Sequence, residues 1–366
     1  MRSIVRKTIL LSVVSAMLFL CSCGIYDKEY VAENDYVIPS VSSVSDSDKI
    51  SVSNFYELKK AVGSLVKEGR KTGTIIFSEG YEGDASEDLA EACWQERSQD
   101  ALCAYCVDNI SYELSRIVSY YEANITVTYA DTGVAFEDIY QISYTTGLSD
   151  LIEQSLNNTD RKLVVLVNSS SYTSDSITSL VQDIYYTNPI VAPKEPTATV
   201  QIYSGTGLQK LYSVSFNYGI SDEERLRSEI DEMKSFNPIS EKISTDDYEK
   251  IVAICRYLTE NCTIGEDDSI YEAMINGSGS SKAIAFETTA LCNKLGLRSF
   301  MVTGQKFYND HYWNIVKING FFYHFDASAV IEGYTNTFLM SDDEMWSSYR
   351  WDTSSYPKCE MSYLID

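Results

Sequence analysis

His311-Tyr312-Trp313-Asn314-Ile315-Val316-Lys317-Ile318-Asn319-Gly320-Phe321-Phe322-Tyr323-His324-Phe325-Asp326 is the most informative stretch of the chain. Asn319-Gly320 between two alternating runs signals a two-residue type I′ turn, so the segment reads as a β-hairpin. Such a loop pairs Ile318 with Phe321, which sets Trp313 opposite Asp326 and His311 opposite Ser328. His311, Trp313, Asp326 and Ser328 then share one face. His311 and Asp326 become diagonal neighbours, about 7–8 Å apart at the backbone and within side-chain reach. A carboxylate beside an imidazole fixes its tautomer and supports its cationic form. The whole chain has 2 histidines, His311 and His324, and both lie here, so imidazole chemistry has nowhere else to sit. The pleat puts His324 on the same face, where it reads as structural.

Upstream, Asp246 to Glu260 has the spacing of an amphipathic helix with acidic residues in its first turn. A glycine-punctuated turn follows, Gly277-Ser278-Gly279-Ser280-Ser281, in which Ser280 and Ser281 can cap the next helix. That helix, Lys282 to Leu295, is apolar on most faces and therefore buried, and Gly296 stops it. Its N-terminus delivers residues 280–282 into the interior. Nucleophiles favour this position because the helix dipole stabilises negative charge there.

These elements together resemble the transglutaminase-like superfamily, whose fold is that of papain-like cysteine proteases. The resemblance rests on His311-Tyr312-Trp313-Asn314, on Tyr323-His324-Phe325-Asp326, and on the ending Phe338-Leu339-Met340-Ser341-Asp342-Asp343-Glu344-Met345, Arg350-Trp351 and Tyr356-Pro357-Lys358-Cys359. It covers about residues 245–366. It implies a triad at Ser281, His311 and Asp326, with Trp313 and Asn314 shielding or bracing His311. The first element departs from the pattern: Ser281 stands where the family places its cysteine nucleophile, and Ala283-Ile284 replace the usual Gly-Tyr. A hydroxyl is far more basic than a thiol and needs true general-base removal in a geometry built for oxygen. The expectation is a degenerate, non-catalytic domain that binds a surface polymer or protein. The alternatives are a serine-dependent acyl transferase or hydrolase using Ser281, His311 and Asp326, and a purely structural surface protein.

The middle of the chain reads as two diverged copies of an α/β unit, at 50–144 and 145–219. Tyr129-Ala130-Asp131-Thr132-Gly133 with Tyr140–Tyr144, and Tyr203-Ser204-Gly205-Thr206-Gly207 with Tyr212–Phe216, both read as hairpins. Thr74–Phe77 and Leu163–Val167 are the preceding strands. Phe55, Leu58, Val62 and Leu65, and then Leu148, Leu151, Ile152 and Leu156, mark the helices before them. The stretches 87–121 and 174–186 are expected to be helical. A helical connector at 220–244 leads to the terminal domain at 245–366. The fold class expected is α+β: a transglutaminase-like, papain-like domain preceded by two tandem α/β repeats. The many tyrosines of the repeats read as strand packing, with an amphipathic contact surface as the alternative.

A chain of 366 residues suggests two or three domains at about 150 residues each. With 53 acidic against 29 basic residues the net charge is −24, which repels phosphate backbones and argues against nucleic acid. Arg2, Arg6 and Lys7 precede an apolar run from Ile9 to Leu20, too short for the roughly 20 residues that span a bilayer. This reads as a secretory signal. Leu20-Cys21-Ser22-Cys23 resembles the lipobox of bacterial lipoproteins, which implies a signal peptide at 1–22 and diacylglycerol on Cys23. Residues 23–49, with Ser40, Ser42, Ser43, Ser45 and Ser47 among acids, read as a flexible tether. The expected location is the outer face of the cell membrane, held by the lipid. The expected partners are a cell-wall glycan, a peptide or a surface protein. Cys103 and Cys106 form a CxxC pair inside an apolar helical run. They read as packed or disulfide-bonded thiols, with a redox or zinc site as the alternatives. No cofactor or metal is indicated.

Overall fold

The computed structural model describes residues 49–239 and 245–363. The signal at 1–22, the lipid site at Cys23 and the tether up to residue 48 lie outside the described residues. The described chain is α+β. Among the described residues, no helix is long and apolar enough to cross a membrane.

Two similar sets of elements come first. The first is β1 (Ile50–Asn54), α1 (Phe55–Lys67), β2 (Thr72–Glu82), α2 (Ala85–Gln99), α3 (Ala101–Cys106), β3 (Val107–Ile117) and β4 (Tyr120–Tyr129). The second is β5 (Tyr140–Tyr144), α4 (Thr146–Asn158), β6 (Lys162–Ser169), α5 (Ser174–Thr187), β7 (Thr197–Ser204) and β8 (Lys210–Asn217). Their sheets run β1-β2-β4-β3 and β5-β6-β8-β7, the same order. In each, the first two strands are parallel and the remaining neighbours antiparallel.

The frame of these sets differs from the sequence expectation. Tyr140–Tyr144 does not close a hairpin with the first copy. It opens the second sheet, parallel to β6. The hairpin of the first sheet lies partly within 87–121, the stretch expected to be helical. Ile110, Leu114 and Ile117 are spaced by four and three, which imitates a helix face. In the fold the helix ends at Asp100, which caps the short α3, and β3 follows directly. A register shift between Val107 and Asn109 lets Val107 and Ile110 both face the core despite their odd spacing.

The apolar run Leu163–Val167 is buried on both faces. Leu163, Val165 and Val167 belong to the core of the second sheet with α4 and α5, whereas Val164 and Leu166 join the core of the first. A strand covered on both sides needs no polar alternation, which is why this run is continuous.

The remaining elements are α6 (Glu223–Ser235), α7 (Asp247–Asn261), β9 (Thr263–Ile264), α8 (Ile270–Asn276), β10 (Ser278–Gly279), α9 (Ser281–Lys294), β11 (Ser299–Lys306), β12 (Asn309–Ile318), β13 (Phe321–Phe325), α10 (Ala327–Ile331), β14 (Phe338–Met340), α11 (Asp342–Met345) and β15 (Tyr349–Trp351). Five of these strands form a sheet in the order β14-β13-β12-β11-β15. Asn319 and Gly320 both take positive φ, and Ile318 pairs with Phe321, the register the turn residues dictate.

α9 is buried nearly all round. Ala285, Phe286 and Ala290 enter the core of the second sheet, while Ala283, Ile284, Leu291 and Cys292 enter the terminal core. Thr288 and Thr289 donate to the carbonyls of Ile284 and Ala285, one turn back, whereas the buried Glu287 accepts from Cys262 Sγ at 3.5 Å through Oε2 and its Oε1 has no partner among the described residues.

Candidate functional site

The start of α9 is shaped by close approach. A Cβ on Gly279 would stand 2.7 Å from the Ala283 methyl and 3.2 Å from that of Ala273, so only glycine fits between the two helices. Ser280, not Ser281, is the N-cap: its Oγ accepts from the Ala283 amide at 3.3 Å and donates to Asp268 Oδ1 at 2.5 Å. Its own N–H donates to the Asp267 carbonyl. Ser281 is therefore the first helical residue and is half-buried. In the first turn of a helix the backbone N–H groups have no intrahelical acceptor, so they point outward as donors.

The hairpin supplies the second half. His311 Nε2 donates to Asp326 Oδ2 at 2.7 Å. The contact is direct rather than the diagonal reach across a ladder that the sequence suggests. The β12–β13 ladder ends at Asn314 opposite Phe325, so Trp313 does not face Asp326, nor His311 Ser328, as paired strand residues. Asp326 instead caps α10, accepting from the Ala329 amide at 3.0 Å, and this turn swings its carboxylate toward His311. With its proton on Nε2, His311 keeps a lone pair on Nδ1, the form a general base requires.

Asp326 is fully buried and surrounded by donors. Its Oδ2 also accepts from the Tyr349 hydroxyl at 2.7 Å and has Lys306 Nζ at 3.8 Å; its Oδ1 accepts from Ser328 Oγ at 2.6 Å. Burial pushes its pKa up, but the bonds from His311, Ser328 and Tyr349 outweigh this and hold it below the ordinary carboxylate value.

Trp313 stacks near His311, with ring centroids 6.1 Å apart and planes 26° from parallel. Its indole Nε1 donates to His324 Nδ1 at 2.9 Å. Asn314 does not brace His311. It lies on the other face of β12, where Nδ2 donates to the Ala285 carbonyl at 3.2 Å, to Thr289 Oγ1 at 2.9 Å and to Ser299 Oγ at 3.2 Å. It ties the strand to the nucleophile-position helix.

Ser281 and His311 flank a contact between their elements. Lys282 Nζ stands 5.2 Å from the Tyr312 ring centroid and pairs with Glu195 Oε2 at 2.5 Å. Among the described residues no hydrogen bond joins Ser281 Oγ to His311.

Sequence reading missed Lys306 and Tyr349, which complete the cage around Asp326. Neither carries a motif, and both reach the site only through strand pairing: Lys306 lies opposite Tyr349 in the β11–β15 ladder.

His324, Asp342 and Cys359 offer three potential metal-ligand atoms within 4.8 Å of one another. The tautomer speaks against an ion there. Trp313 donates to His324 Nδ1, which puts the ring proton on Nε2, and that proton goes to Asp342 Oδ1 at 2.8 Å. A neutral histidine bound to metal through Nε2 needs its proton on Nδ1, facing the indole N–H. Trp313, His324 and Asp342 form a hydrogen-bond relay that leads from the buried indole to the half-buried carboxylate. Burial lowers the His324 pKa, against the pull of Asp342.

No family model matches the chain, and no curated protein does. Three solved structures are similar in part. A candidate cysteine protease of Cytophaga hutchinsonii is 15% identical over 36% of this chain and 62% of its own, with a TM-score of 0.22. A structure described as a TGase is 10% identical over 70% of this chain and 51% of its own, at 0.21. A candidate protease of Parabacteroides distasonis ATCC 8503 is 10% identical over 69% of this chain and 39% of its own, also at 0.21. The chain thus spans less than two thirds of the length of each. At these scores the likeness carries no argument about the site, which stands on its own geometry.

Proposed function

We propose that residues 245–366 form a transglutaminase-like domain that has kept its histidine–aspartate pair and lost its nucleophile, and that it binds rather than cuts. The observation that carries this reading is the His311–Asp326 bond of 2.7 Å, kept while the hydroxyl at the start of α9 makes no bond to His311 among the described residues. Catalysis by serine demands proton removal by a base within about 2.6–3.2 Å. The carboxylate of Asp268 lies on Ser280, with Glu266 and Asp267 just before it in the chain, and negative charge there opposes an alkoxide at Ser281. Binding is favoured by the turn that precedes His311. Phe307 and Tyr308 are 62% and 88% exposed and sit at φ +49° and +68°, a conformation that bulky side chains rarely adopt. Exposed, strained aromatic rings suit a contact with a cell-surface polymer or protein.

The test is an assay of the full chain for cleavage and amine transfer on glutamine-containing peptides, beside Ser281→Ala and His311→Ala. The expected result is no turnover above that of His311→Ala. Turnover that both substitutions abolish overturns the binding reading and establishes serine-dependent acyl transfer in its place.

The same proposal places the protein on the outer face of the cell membrane through a lipid on Cys23. Its support is Leu20-Cys21-Ser22-Cys23 after a short apolar run. Metabolic labelling with a fatty acid should mark the parent, and Cys23→Ala should lose the label and leave the membrane fraction. Label retained in Cys23→Ala refutes the anchor.

A further inference from the structure

Glu287 lies in the second turn of α9 and is 0% exposed. One carboxyl oxygen, Oε1, has no hydrogen-bond partner among the described residues, and the other meets only the Cys262 thiol, at 3.5 Å. Few titratable groups face this carboxyl. α7 contributes the Tyr257 hydroxyl and, one residue past its end, the Cys262 thiol. α8, β13 and α10 bring Ala273, Phe325 and Ala327 to the core that holds Cys262. Among the described residues no cation acts on Glu287. An ionised carboxylate here would lack a counter-charge and most of its hydrogen bonds, which is unfavourable in a dry interior. Burial accordingly pushes the Glu287 pKa up to about 7, against the smaller pull of Cys262 and Tyr257. Burial raises both of those groups as well, so they stay neutral where Glu287 titrates.

Cys262 joins Glu287 to the head of α9. Its N–H donates to the Leu258 carbonyl and ends α7. The chain then enters β9, which runs parallel to β10. There the Thr263 N–H donates to the Gly277 carbonyl at 2.9 Å, and the Gly265 N–H to the Gly279 carbonyl at 2.8 Å. Gly277 is pressed onto the end of α7, since a Cβ on it would stand 2.5 Å from the Asn261 carbonyl oxygen. β10 leads directly into Ser280 and Ser281. The path from Glu287 through Cys262, β9 and β10 therefore returns to the start of the helix that carries Glu287.

We propose that Glu287 is a pH-sensitive latch: its neutral carboxyl holds Cys262 and the β9–β10 pair against α9, and its ionisation loosens the segment that positions Ser280 and Ser281. In that step the carboxyl O–H bond breaks, its electron pair stays on oxygen, and the proton leaves to solvent. The carboxylate then needs water, which reaches it only when the packing around Cys262 opens. The folded pKa is raised above the ordinary value of about 4.3. The stabilisation is thus complete below that value and is lost as pH rises through about 7. Asp326, with its depressed pKa, responds in the opposite sense. The latch does not depend on the binding reading.

The experiment compares the full chain with Glu287→Gln and Glu287→Met, which keep the side-chain length and cannot ionise. The infrared difference between parent and variant should show a buried carboxylic-acid band at pH 6 that is gone by pH 9. Hydrogen exchange reads the release itself. After correction for the intrinsic rise with pH, the Thr263 and Gly265 amides should exchange about tenfold faster at pH 8 than at pH 6 in the parent, and at equal rates in the variants. The Val127 amide, bonded to the Lys71 carbonyl in the first sheet, should show no such change, which separates local release from global unfolding. Circular dichroism checks the fold of each variant. Should neither fold, the parent's three amides still decide, because the latch requires Thr263 and Gly265 to gain exchange while Val127 does not. Absence of the acid band at pH 6 overturns the proposal, as does a band that persists at pH 9. Equal gains in parent and variants overturn it too.

Discussion

Replacing Asp326 with alanine should destabilise the protein by about 3–5 kcal/mol, the scale of breaking a buried charged network by removing one partner. The change strands several groups at once. His311 Nε2, the Tyr349 hydroxyl, Ser328 Oγ and the Ala329 amide all lose their acceptor, and Lys306 loses a nearby counter-charge. α10 also loses its N-cap, alone worth about 1 kcal/mol. Asp326→Asn keeps the shape and should fall between parent and alanine. The pH dependence has a definite sign. The folded pKa of Asp326 is depressed, so the fold prefers the ionised form. That contribution is complete above the unfolded value of about 3.9 and is lost as pH falls through the folded value. Urea unfolding should therefore show the gap between parent and Asp326→Asn narrowing as the pH falls below about 4. A gap under about 1 kcal/mol between parent and alanine at pH 7 contradicts the network account, because even a single stranded buried group costs that much.

Ser281→Cys should create a thiol that alkylates at least about 100-fold faster at pH 7 than the native buried cysteines. Burial pushes Cys255 up to about 11, and Cys93, Cys106 and Cys292 up to about 12. Their thiolate fractions at pH 7 are then about 1 in 10,000 or less, whereas a free thiol near 8.5 is a few per cent ionised. The new sulfur would be half-exposed at the first position of α9, where the helix dipole favours an anion. Iodoacetamide kinetics with mass mapping of each cysteine decide the matter. If the thiol introduced by Ser281→Cys reacts no faster than Cys255, the start of α9 is not a nucleophile position.

Local chemistry carried a large part of the terminal fold. Asn319-Gly320 demands positive φ at both residues, so the register of Ile318 with Phe321 follows from two residues alone. Likewise, a run as apolar as Ala283–Leu295 has only one stable environment, and α9 is buried between two cores. The repeats were harder. Their shared strand order depends on pairings between residues far apart in sequence, and β3 hid behind the helical spacing of Ile110, Leu114 and Ile117. Spacing alone cannot separate a helix face from this edge strand, because Ile117, an exposed residue on the face opposite Ile110 and Leu114, completes a four-and-three spacing by chance.

The site divides in the same way. That His311, Trp313, His324 and Asp326 belong together follows from the period of two along a hairpin, a purely local rule. Sequence likewise determined that Ser281 heads a buried helix, since a glycine turn before an apolar run permits little else. What Asp326 does was decided only in three dimensions. The chain leaves the sheet one residue before it, so its carboxylate caps α10 and meets His311 directly. Lys306 and Tyr349 complete its cage from strands 43 positions apart, paired through β11 and β15. Asn314 turns to α9 because alternate residues of β12 face opposite layers, and only packing reveals which layer holds which partner. Hydrogen bonds of this kind are set by the relative placement of whole elements, and no local pattern encodes that placement.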